Sequence, residues 1–132
     1  MTHAIDQDAA AIDALIGSFY AVFDNRGGRT IPVVTLREMF LAGAIITRAS
    51  PTGIETMSVE TFIAPRARIL SDGTLADFHE WEVDSSTRVL RDIASRRSTY
   101  AKRGRSDGAP YAGGGATLIQ RARAADGWRI AS

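Results

Sequence analysis

The sequence predicts an α+β fold in which N-terminal helices pack on a curved, mainly antiparallel sheet, a cone-like arrangement. Three observations predict it. Apolar residues recur at helical spacing before Asn25 and again after Ser58. From Leu75 onward the helical stripe disappears from two long stretches rich in valine, threonine and aromatic residues. Near the end, Asp126-Gly127 forms a two-residue hairpin signal ahead of a last apolar segment. The 132 residues, 45% hydrophobic and 23% charged, are enough for one domain over residues 1–132.

The first helix is expected from about Ile5 to Asp24, because Ile12, Leu15, Ile16, Phe19, Val22 and Phe23 fall on one stripe. Asp6 and Asp8 stand in its first turns, where the helix dipole favours negative charge, and Asn25-Arg26-Gly27-Gly28 stops it. Tyr20 lies at the edge of the stripe, which places its ring in the core and its hydroxyl at a boundary. Thr35-Leu36-Arg37-Glu38 reads as a capping box for a short helix through Phe40. Ala44 to Arg48 reads as a first, buried strand, followed by a turn at Ser50-Pro51-Thr52-Gly53. A third helix is expected from about Ser58 to Leu70, with a kink or a delayed start at Pro65 and a stop at Ser71-Asp72-Gly73. Strands then cover Leu75–Val89 and Leu90–Lys102. Arg103 to Gly115 reads as a turn-rich loop, and Ala116–Ala124 and Trp128–Ile130 form the closing hairpin.

Composition narrows the function. No apolar run approaches the roughly 20 residues of a membrane span, and the N-terminus lacks an export signal, so a cytoplasmic chain without a membrane partner is expected. Zero cysteines exclude disulfides, thiolate chemistry and sulfur-ligated metals, and two histidines give no metal-ligand spacing. No cofactor motif is present either. The run Gly113-Gly114-Gly115 lacks the Lys-Ser/Thr ending of a phosphate loop and opens a strand rather than a helix. Sixteen basic and fifteen acidic residues leave a net charge of +1, which supplies no field for nucleic acid. The basic segment Arg96, Arg97, Lys102, Arg103 and Arg105 reads as a solvated strand edge.

Several segments together carry a resemblance. They are the long first helix ending in Asn-Arg-Gly-Gly, then EMFLAGAIITR, DFHEWEV and DIASRRSTYAKRG, and the closing GGGATLIQRARAADGWRIAS. In these the chain resembles the nuclear transport factor 2-like superfamily, specifically its SnoaL-like bacterial members, along nearly its whole length. The resemblance implies a pocket between the helices and the concave sheet. It also implies a choice of functions: small-molecule binding, a cyclase, isomerase or dehydratase-like enzyme, or a non-catalytic dimerisation module. Against the ketosteroid isomerases of that superfamily, Tyr20 matches the oxyanion-hole tyrosine. Arg48 stands where the carboxylate base belongs, and Thr117 to Gln120 stand where the second acid belongs. One part of three is present, and arginine cannot act as a base.

The remaining candidates come from the residues themselves. Arg66 interrupts the apolar stripe of the third helix, three residues after Ile63 and three before Ile69, and a buried arginine needs a partner. Glu80 and Glu82, at strand period two, are the expected partners, with His79 and Trp81 on the opposite face of the strand. The candidate pocket residues are therefore Tyr20, Arg48, Arg66, His79, Glu80, Trp81 and Glu82. The expected ligand is small and partly apolar with an anionic or carbonyl head. The expected partner is a second copy, docked through the convex sheet.

Overall fold

The structure, a computed structural model, describes residues 2–132, with side chains from Gln7 onward. Helix α1 (Thr2–Ala21) is followed by a 3-10 turn at Arg26–Gly28 and a short helix α2 (Val33–Glu38). A hairpin, β1 (Ile45–Ser50) and β2 (Gly53–Ser58), leads into α3 (Val59–Ser71). Four strands complete the chain: β3 (Leu75–Leu90), β4 (Ile93–Ser106), β5 (Ala109–Ala124) and β6 (Gly127–Ile130). These four form one antiparallel sheet in sequence order, and β1–β2 form a separate two-stranded sheet. The expected α+β architecture is the observed one.

The core lies between α1, α3 and the inner face of the four-stranded sheet. Ile16 and Tyr20 of α1 and Phe23 just after it meet Ile63 and Leu70 of α3 and Phe78, Ile119 and Ile130 of the sheet, all buried. Asn25 joins these elements just past the end of α1. Its side-chain amide donates to the Leu70 and Leu75 carbonyls, both at 2.8 Å, and its Oδ1 accepts from the Phe78 amide at 2.8 Å. Its own backbone amide donates to the Phe78 carbonyl at 3.0 Å. The left-handed glycines that follow, Gly27 and Gly28 (φ 68° and 78°), turn the chain away as expected.

Five details differ from the sequence reading. Helix α1 starts at Thr2 rather than Ile5 and ends at Ala21, so Asp8 sits beyond the first turn, bound to Arg123 at 2.8 Å through both carboxylate oxygens. Asp6 lies outside the described side chains. Thr35 is not a cap: α2 starts two residues earlier behind Pro32, with no side-chain cap. Ser58 does cap α3, accepting from the Thr61 amide at 3.1 Å. Helix α3 runs on through Pro65, which sits on its exposed side.

Strand β1 is largely exposed rather than buried, because it pairs only with β2, a strand the sequence reading omitted. Finally, Arg103–Gly115 is not a loop. It contains the end of β4, a tight turn at Asp107-Gly108 and the first half of β5. The glycine run lies flat in β5 because large neighbours fill the space above it. A Cβ on Gly115 would sit 2.9 Å from the Tyr100 hydroxyl, and one on Gly104 would sit 2.9 Å from Phe78 Cα. Non-local packing, rather than turn chemistry, explains these glycines.

Candidate functional site

The expected site residues divide between two clefts. One, of about 410 Å³, opens between α1 and the edge strand β3; Tyr20, His79, Glu80, Trp81 and Glu82 line it together with Asp13, Asp24, Arg26 and Arg96. The other, of about 930 Å³, lies between the β1–β2 hairpin, α3 and β5, and takes Arg48 and Arg66.

The smaller cleft is built on strand alternation. In β3 the register shifts between Glu82 and Asp84, so Glu82 lies opposite Tyr100 and shares the inner face with Arg96 and Ser98 of β4. Arg96 is 5% exposed. Its Nε donates to Glu82 Oε2 at 3.0 Å, its Nη2 to Glu82 Oε1, and its Nη1 to Asp13 at 2.6 Å and Thr87 at 2.9 Å. The Ser98 hydroxyl donates to Glu82 Oε2 at 2.5 Å, and Tyr20 Oη lies 2.8 Å from Ser98 Oγ. Since the one Ser98 proton is committed to a carboxylate, Tyr20 is the donor in that contact. Burial raises the Tyr20 pKa, so the phenol stays protonated. Burial also pushes Glu82 up, but the hydrogen bonds from Arg96 and Ser98 more than offset it and leave the carboxyl lowered.

Glu80, across from Lys102, receives no hydrogen bond among the described residues, and burial raises its pKa against the pull of Lys102 and Arg66. His79 stacks on Trp81, ring centroids 4.7 Å apart.

The pairing expected of Arg66 does not form. Its guanidinium lies over the Phe62 ring, 3.9 Å from the centroid, and Nη1 donates to the Phe62 carbonyl at 2.9 Å. Glu82 is taken by Arg96, and Glu80 reaches Arg66 only through longer-range attraction. A ring face and a carbonyl one turn back on the same helix hold the cation at the rim of the larger cleft.

In that cleft, Phe19, Phe40, Phe62, Met57, Ile119 and Ile130 form the apolar wall, and Tyr100 adds a phenol. Arg48, Arg66 and Arg97 are among its lining residues, and no described acidic side chain is. Arg97 holds Asp84 at 3.5 Å; Arg48 and Arg66 have no ion pair among the described residues. Sequence reasoning missed Arg96, Ser98 and Arg97 by treating the basic segment as one solvated edge. The signal was period two, which sends Arg96, Ser98 and Tyr100 inward and Arg97 outward.

No protein-family model and no curated protein matches the chain. Solved structures do. A Kribbella flavida protein, Kfla4162, superposes with a TM-score of 0.74 at 20% identity, covering 97% of this chain and 88% of its own. A nuclear transport factor 2-like protein with a cystatin-like fold from Novosphingobium aromaticivorans gives 0.73 at 15% identity, covering 98% and 81%. The fold is that of the nuclear transport factor 2-like proteins. The association domain of Caenorhabditis elegans CaMKII shares it too, with a TM-score of 0.64 at 11% identity and coverage of 98% and 92%. Within this nuclear transport factor 2-like fold, the position expected for a base is Arg48, on the exposed hairpin. Thr117, Leu118 and Ile119 line the same cleft without an acid. Tyr20, the matching tyrosine, faces the other cleft. No described helix is long and apolar enough to cross a membrane, and no described cluster of acidic or histidine side chains has the form of a metal site.

Proposed function

We propose that this chain binds a small molecule with an aromatic or aliphatic body and an anionic head in the larger cleft. One observation carries the reading: Arg48 and Arg66, without ion pairs among the described residues, line a cleft walled by phenylalanines, and no described acidic side chain joins them. Such a lining favours apolar burial of the body and charge-assisted hydrogen bonds to the head. Arg66 is pre-positioned by Phe62, so little side-chain freedom is lost when its free donors engage a ligand. Titration calorimetry with 2-naphthoate, 2-naphthamide and 2-naphthylamine tests it. The acid is expected to bind and the amide and amine to bind at least tenfold more weakly. Arg66→Gln and Arg48→Gln are each expected to weaken the acid by roughly tenfold, the worth of a charge-assisted hydrogen bond. Equal binding of acid and amide, or unchanged binding in both variants, overturns it. Tyr20 lines the other cleft, so Tyr20→Phe is expected to leave this affinity unchanged, a reversal of the sequence expectation.

A second reading, assembly as a homodimer through the convex sheet, rests on the apolar residues left outside. Val83, Leu90 and Ile93 are each more than half exposed on the long strands. A closed two-fold contact would cover them. Light scattering at micromolar concentration is expected to return twice the 14.2 kDa of one chain, and the monomer mass overturns this reading.

A further inference from the structure

Arg121 is fully buried, and none of its guanidinium nitrogens, Nε, Nη1 or Nη2, has a hydrogen-bond partner among the described residues. On the inner face of β5 it stands between Ala94 of β4 and Ile130 of β6. The acceptors nearest in charge are already committed. Glu82 accepts from Arg96 and Ser98 with its two oxygens, and Asp13 and Thr87 accept from Arg96 Nη1. Arg96 and Arg121 also repel each other, and burial with that repulsion lowers the Arg121 pKa to about 10. At neutral pH the side chain therefore remains a cation. A buried cation without an acceptor is among the most costly arrangements in a protein interior, whereas the Arg96 cation beside it is fully served. Glu82 and Asp13 attract Arg121 at longer range, but neither accepts a hydrogen bond from it, so what it lacks is acceptor lone pairs.

We infer that Arg121, backed by Arg96, is the seat of a small monovalent anion, a halide or a lone carboxylate group, held between α1 and the sheet. This site is independent of the larger cleft proposed above: Arg121 lines neither cleft. A halide or carboxylate supplies the acceptor lone pairs and also offsets the repulsion between Arg96 and Arg121.

Crystals grown with sodium bromide are expected to show an anomalous difference peak within hydrogen-bonding distance of the Arg121 guanidinium. Thermal melts at constant ionic strength provide the solution test. Adding bromide or acetate is expected to raise the wild-type Tm along a saturating curve, and Arg121→Met is expected not to respond. At the lowest anion concentration Arg121→Met is expected to melt above wild type, since an uncompensated buried cation is gone, and added anion is expected to close that gap. Stabilisation by both salts indicates a halide-sized seat; stabilisation by acetate alone indicates a carboxylate seat. Ordered water with no bromide peak, together with parallel salt responses in wild type and variant, overturns the inference. The wild-type crystal measurement decides even if the variant fails to fold. The naphthoate experiment reads different residues and can fail or succeed separately.

Discussion

Arg96 and Glu82 face each other across the β3–β4 pair, with Arg96 Nε donating to Glu82 Oε2 at 3.0 Å and a second nitrogen to the other oxygen. The side chains are 6% and 19% exposed, so this pair is screened far less than the surface ion pairs around it. Tyr20 reaches the same carboxylate through Ser98, which ties α1 to β3 and β4.

Arg96→Met is therefore expected to destabilise the fold by ~3–5 kcal/mol, because Glu82 is left buried with only a serine to answer it. Arg66→Ala is expected to cost only ~0.5–1.5 kcal/mol, the scale of its single hydrogen bond to a carbonyl. Urea melts of both variants check the order. A larger loss at Arg66 contradicts it.

Glu80 gives a pH signature of its own. Its folded pKa is raised above the ordinary 4.5, so the folded state holds the proton longer than the unfolded chain does. Its contribution is fully present below that value and is lost as pH rises through the folded pKa. Glu80→Gln is expected to be more stable than wild type at pH 7, with the difference vanishing below pH 4. A constant difference at both ends contradicts this.

Asp24 behaves oppositely. The Arg26 hydrogen bond beside it holds its pKa down to about 2 from 3.8. Stability from this group is present above the unfolded value and is lost as pH falls through about 2. Asp24→Asn is expected to flatten the acid limb of the stability curve between pH 4 and pH 2 and to leave the shape of the alkaline limb unchanged.

Two glycines separate rigid from yielding neighbours. The Cβ of Gly104→Ala meets backbone, Phe78 Cα at 2.9 Å and the Ala76 carbonyl at 2.9 Å. A loss of about 1–3 kcal/mol is expected from overpacking. The Cβ of Gly115→Ala meets the far end of Tyr100, which can swing aside, so a smaller loss is expected. Paired thermal melts test the ranking.

Much of the fold was legible because it is local. The stripe from Ile12 to Phe23, the stop at Asn25-Arg26-Gly27-Gly28 and the Asp126-Gly127 turn each need only a few consecutive residues. What escaped is non-local. Gly113 to Gly115 carry no side chains and therefore no period, and their place in β5 depends on Tyr100 from the neighbouring strand. The candidate site was half legible. Strand parity placed Glu80 and Glu82 together on one face, with His79 and Trp81 on the other. The choice of Arg96 over Arg66 as the Glu82 partner depends on a register shift after Glu82 that no local pattern announces. Arg121 was within reach, since Ile119 and Arg121 share a face, but an arginine at a core position reads as an exposed one until its neighbours are known.

The β1–β2 hairpin stands apart from the four-stranded sheet and leans on α3, with Ile54 78% exposed at its turn. Its backbone amides are accordingly the ones to trade protons for deuterons first, well before those of β4 and β5 at the centre of the ladder. Arg48 rides on this hairpin and Arg66 on the helix behind it. The mouth of the larger cleft can thus widen by local opening while the sheet stays intact, and admitting a ligand need not draw on the global stability of the protein.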